Sequence, residues 1–110
     1  MIDAPSAIYS TLLDDPDLQE LVELFVEELP QRTAQLMAAK SAGDRSELGR
    51  YAHQLKGAVG AYGFEGVTQY AARLEEAARS DAPEEEIERA LTDLIEICGR
   101  LSPGNPNGVQ

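Results

Sequence analysis

Apolar residues recur three and four positions apart along most of the chain, and they nowhere alternate with period two over a useful length. The first spacing marks one face of an α-helix and the second a half-buried strand, so the pattern predicts helices and no sheet. Residues 6–13 (SAIYSTLL) place Ile8 and Leu12 four apart and predict a short opening helix. Asp14-Asp15-Pro16 then supplies an acidic cap and a proline in the first turn of a longer helix. Leu18, Leu21, Val22, Phe25 and Leu29 form its apolar stripe. Pro30 has no backbone N–H and collides with the carbonyl four residues back, so a kink or a break is expected there. Helix resumes through Leu36 and Met37 to about Ala42.

Gly43 ends that helix, and Asp44-Arg45-Ser46-Glu47 has the form of a capping box for the next. Leu48, Ala52, Leu55 and Val59 are the apolar stripe of this second helix, which Tyr62-Gly63 stops. A third segment, about 64–79, carries Val67, Ala71, Leu74 and Ala78 on one face. Ser80-Asp81-Ala82-Pro83 is a turn, and Ile87, Leu91, Leu94, Cys98 and Leu101 form the stripe of a last helix. Helices joined by short connections make an antiparallel bundle. The expected fold is all-α, a four-helix bundle with a short additional N-terminal helix. Residues 1–101 are expected to form the domain, and the polar, Pro/Gly/Asn-rich residues 102–110 a disordered tail or linker remnant.

Composition narrows what such a bundle can do. The chain has 110 residues and a net charge of -11, with no tryptophan and a single cysteine. So acidic a chain lacks the basic footprint that nucleic acid requires and is repelled by anionic membranes. The N-terminus has no charged and apolar leader pattern, and no run reaches transmembrane length. The lone Cys98 excludes an internal disulfide, falls on the apolar stripe and suits a reducing compartment, so a cytoplasmic protein is expected. Glu84-Glu85-Glu86 occupies a helix's first turn, where acids complement the dipole, and carries no binding role.

The informative stretch is AHQLKGAVGAYGF, residues 52–64, which holds the chain's one histidine among glycines. With Leu48 at zero on a helical wheel, Ala52, Leu55 and Val59 fall within roughly 40° and define the core direction. His53 lies at about 140°, with Gly49 near 100°, Gly60 near 120° and Gly57 near 180°. Each interior glycine costs about 0.8–1 kcal/mol of helix stability relative to alanine. Three on the histidine's own face point to close approach by something outside the helix; Gly49 fits that role no better than ordinary variation. Arg50 and Lys56, three residues either side of His53, can reach across a turn to it. Of the two, Lys56 is suited to holding an anion, and Arg50 reads as a surface residue with an incidental effect. A neutral imidazole nitrogen is a nucleophile, and a phosphoryl group on it would need such a cation nearby.

His53-Gln54-Leu55-Lys56-Gly57, with Gly63 ten residues after the histidine, resembles the histidine-containing phosphotransfer (HPt) domain of two-component phosphorelays. Asp15-Pro16, the Phe25…Pro30 pattern and Gly43-Asp44 resemble the same family, and the similarity spans roughly residues 8–100. The resemblance implies a phosphorelay carrier. His53 accepts phosphate at Nε2 and passes it to or from a receiver aspartate, Lys56 stabilises the phosphate, and Gly57 gives the partner room. It places Glu75 where family members often carry a Gln that hydrogen-bonds Nδ1, so Glu75 is expected to orient the imidazole. It also implies an apolar partner surface around His53, for which Leu13, Leu29 and Tyr62 are candidates. The implied partners are a response-regulator receiver domain and a sensor or hybrid histidine kinase, with Mg2+ on the receiver and no cofactor or metal of the chain's own.

An alternative is a docking module that binds receivers without transferring phosphate, though the intact HQLKG argues against it. Autonomous catalysis has no support, since no phosphate-cradling glycine loop followed by Lys-Ser/Thr is present. One histidine with scattered acids gives no metal-ligand pattern. A monomer is expected, because five candidate helices can close a bundle within one chain. Met1 and the near-complete bundle favour a free-standing protein, and the linker-like end favours a piece of a hybrid kinase.

Overall fold

The computed structural model describes residues 6–104. Residues 1–5 at the start, and 105–110 of the polar tail, lie outside it. Helix α1 runs Pro16–Ser41, α2 Arg45–Ala61, α3 Thr68–Arg79 and α4 Glu84–Cys98, with one 3-10 turn, Glu65–Val67, leading into α3. The four helices pack as a bundle in which α2 lies most extensively against α3. The α1–α2, α3–α4 and α1–α4 contacts complete it. The core is aliphatic: Leu36, Leu48, Leu55, Leu74, Ile87 and Leu94 are almost completely buried, with Phe64 the largest side chain among them.

The local signals that start and stop the helices are visible in the backbone. Asp15 caps α1 by accepting from Asp17 N at 2.9 Å, with Pro16 in the first turn. Both α1 and α2 end on a glycine with positive φ, Gly43 at 71° and Gly63 at 85°. In each case the residue after the glycine donates six-to-one into the helix: Asp44 N to Ala39 O at 3.0 Å, and Phe64 N to Val59 O at 2.7 Å. The expected capping box is therefore only half formed. Asp44 Oδ1 accepts from Glu47 N at 3.0 Å, but the Asp44 N–H already serves the end of α1. The Glu47 carboxylate turns away to Arg50 instead.

Three sequence expectations are corrected here. No helix forms over residues 6–13; Ile8–Tyr9 is a two-residue strand, β1, followed by a turn. It pairs in parallel with β2, Leu101–Ser102, so Leu101 belongs to this ribbon and not to α4. Ile8 N donates to Arg100 O at 2.7 Å, and Arg100 Nε to Ser6 O at 2.8 Å. These ties explain the failure of the helix: Ser6 and Ile8 find their backbone partners at Arg100, and Thr11 finds its own at Gly63. Secondly, of the kink or break expected at Pro30 the break does not form: α1 is continuous through this exposed residue, and the missing hydrogen bond lies at a solvated position. Thirdly, Leu21 is exposed although its spacing put it on the stripe, and the buried face of this segment is Val22, Phe25 and Leu29.

Past β1, Ser10 closes the bundle's end. Its hydroxyl donates to Tyr62 O at 2.6 Å and accepts from Leu12 N at 3.0 Å, while Thr11 N donates to Gly63 O at 3.0 Å. The N-terminal segment thus lies directly on the glycine that ends the histidine helix. Among the described residues no helix is long and apolar enough to cross a membrane.

Candidate functional site

His53 sits in the third turn of α2, pointing away from the Leu48–Val59 stripe, with its side chain 60% exposed. Across the α2–α3 interface lies Glu75, which α3 delivers from the face that also buries Leu74 and Ala78. Its side chain is 11% exposed, and it is one of two buried polar residues among those described. A buried carboxylate requires partners, and Glu75 has three. Oε2 lies 3.0 Å from His53 Nδ1 and 2.9 Å from an Arg79 guanidinium nitrogen, and Oε1 lies 2.8 Å from Lys56 Nζ. The Lys56 hydrogen bond, with smaller help from His53 and the charges of Lys56 and Arg79, holds the carboxyl below its ordinary value despite burial.

That ionisation fixes the imidazole. A carboxylate has no proton to give, so Nδ1 must be the donor in this hydrogen bond. In the neutral ring the lone pair is then on Nε2. The result is a surface imidazole held in one tautomer and orientation, with a cation one turn along its own helix.

The glycines divide into two kinds. A side chain at Gly57 would meet nothing within 4 Å, and one at Gly60 only Thr68 Oγ1 at 3.8 Å. Among the described residues no packing requires either. Gly49 is different, and of its two readings, access or ordinary variation, neither describes it. It is buried, and a Cβ there would stand 3.0 Å from Arg79 Nε and 3.1 Å from Arg79 Cγ. Arg79 lies across it on the way to Glu75.

Of the sequence candidates, His53, Lys56 and Glu75 come together, and Gly57 lies open beside them. Arg50 does not join them; it forms a forked pair with Glu47 at 2.7 and 2.8 Å and covers the Tyr51 ring at 4.7 Å. Leu13 and Leu29 are core residues and present no free apolar face, whereas Tyr62 is half-buried and stacked on Phe25 with centroids 4.8 Å apart. The exposed large apolar residues of α1 are Leu21, Leu24 and Met37. Cys98 lies in the core, and burial pushes its thiol up to about 11. Arg79 was missed by sequence reasoning, although its place four residues after Glu75 on one helix was a usable signal.

Searches of the curated proteins and of the solved structures each found no significant match. A family model described as "Hpt domain" matches residues 20–100, a span that takes in most of α1, all of α2 to α4 and every residue of the His53–Glu75 cluster. A four-helix bundle with one exposed, carboxylate-held histidine is consistent with that match, and the chain belongs to the Hpt domain family, the histidine phosphotransfer modules of two-component phosphorelays.

Proposed function

We propose that this Hpt domain carries a phosphoryl group on Nε2 of His53 and exchanges it with the aspartate of a response-regulator receiver, a sensor or hybrid histidine kinase being the other partner of the relay. The observation that carries this reading is the 3.0 Å contact of Nδ1 with the ionised Glu75 on an otherwise exposed ring, which leaves the lone pair on Nε2. The Nε2 lone pair attacks the phosphorus of the receiver's aspartyl phosphate. An N–P bond forms, the P–O bond to the aspartyl oxygen breaks, and the aspartate leaves as a carboxylate. Nδ1 keeps its proton, so the phosphorylated ring gains positive charge, and the facing Glu75 carboxylate offsets it. The reverse transfer runs through the same groups.

Lys56 suits the phosphate because its ammonium has three donors and only one is committed to Glu75. Its side chain is 33% exposed, which leaves room to turn a donor outward. Gly57 fits docking: it weakens α2 by about 1 kcal/mol against alanine while serving no contact among the described residues. Mg2+ belongs to the receiver in this reading, and the chain acts as a phosphocarrier.

The test mixes the protein with a receiver phosphorylated by a small phosphodonor in the presence of Mg2+. Acid-labile, base-stable phosphate is expected on the wild type and none on His53→Gln, whose helical circular dichroism stays unchanged. Gly57→Leu is expected to keep the fold and to slow transfer at least about tenfold, the loss from about 1.4 kcal/mol of docking. Equal labelling of His53→Gln would refute the assignment. Receiver binding without label on the wild type would turn the reading to a docking module.

A further inference from the structure

We propose that Arg79 is a positioning residue for His53, acting through Glu75, and that residue 49 is glycine to seat it. The inference rests on the phosphocarrier reading for its purpose, though its geometry stands alone. Glu75 offers two oxygens to one ring N–H and two cations. Lys56 takes Oε1, whereas His53 Nδ1 and Arg79 share Oε2 at 3.0 and 2.9 Å. The two cations are therefore not equivalent: Arg79 is the one whose charge lies against the oxygen that faces the ring.

The distinction matters once a phosphoryl group arrives. Lys56 is then drawn from Oε1 towards the phosphate oxygens. A carboxylate tied only to Lys56 and His53 would be free to rotate about its terminal bond and exchange the oxygen facing Nδ1. Arg79 approaches from one turn further along α3 and keeps Oε2 in place. Lys56 is the exchangeable partner of the site and Arg79 the fixed one.

Gly49 makes this possible. The Arg79 side chain lies over the α2 backbone at Gly49, so closely that a Cβ would sit 3.0–3.1 Å from Nε and Cγ. An added methyl makes this side chain give by a few tenths of an ångström, and the shift displaces the guanidinium against Glu75. The glycine four residues before the histidine thus serves the α3 side of the site, while Gly57 stays open to solvent.

The chain has one histidine, so 15N-histidine labelling gives a single imidazole whose shifts report its tautomer. Arg79→Gln is expected to reduce the population with Nδ1 protonated and to slow phosphotransfer about two- to fivefold, a range suited to a half-exposed pair. Arg79→Lys restores part of both. Gly49→Ala, which favours helix, is expected to leave the melting temperature unlowered yet to shift the imidazole spectrum as Arg79→Gln does. The double variant adds little to either single change. Unchanged imidazole shifts in Arg79→Gln would overturn the positioning role, and additive effects in the double variant would overturn the seat. A wild type that never takes phosphate but shows these shifts would remove the phosphocarrier reading and leave the positioning intact.

Discussion

The carboxylate of Glu75 is the charge on which His53, Lys56 and Arg79 converge, so its protonation should be visible in the stability of the protein. Its pKa in the folded chain lies below the ordinary value of 4.5, the Lys56 hydrogen bond being the largest cause. The stabilisation is therefore fully present above 4.5 and is lost as pH falls through the lower folded value. Glu75→Gln is expected to lower stability by about 1–2 kcal/mol near neutral pH, with the gap to wild type closing below that window. Urea unfolding across the acid range checks this, and parallel curves for the two proteins would show that Glu75 carries no such linkage. His53 and Lys56 were legible at this scale because their relation lies within one helix, where spacing alone fixes who can meet. Glu75 came from family resemblance, and Arg79 and the role of Gly49 escaped. These depend on how α2 and α3 pack, and a helical wheel does not contain its neighbour.

The helices themselves followed from period and caps: all four long segments were expected near their observed positions, and Asp15, Gly43 and Asp44 mark real boundaries. Pro30 does not break its helix, because it is exposed and α1 is packed on both sides of it. Gly63 held more than its sequence showed. It ends α2 at a φ of 85°, and a side chain there would strike Ser10 Oγ and stand 2.9 Å from both Thr11 N and Leu12 Cγ. Gly43 ends α1 at 71° with nothing within 4 Å. The two glycines make a matched pair in conformation and differ in surroundings. Gly43→Ala is expected to cost about 1–2 kcal/mol for the left-handed backbone alone, and Gly63→Ala distinctly more, because the segment over it must also move. Equal losses in thermal or denaturant melts would mean that residues 10–12 do not rest on the end of α2.

At the scale of the whole molecule, the bundle class was readable because four amphipathic helices with short connections have few other ways to bury their stripes. The joining of the two ends was not. Two residues are too few to show a period, and the partner of Ile8 lies at Leu101, beyond every helix. That ribbon has a mechanical meaning. Because β1 and β2 run parallel, a pull on the chain before Ile8 and another after Ser102 drag the strands past each other along their axis. Their hydrogen bonds are loaded together in shear, whereas an antiparallel pair held at the same ends would unzip one bond at a time. The helices of the bundle are shielded from tension until this clasp yields. Single-molecule pulling from those two points is expected to show a distinct first rupture that disappears when residues 6–9 are removed, and an identical trace without them would assign the resistance to the helices instead.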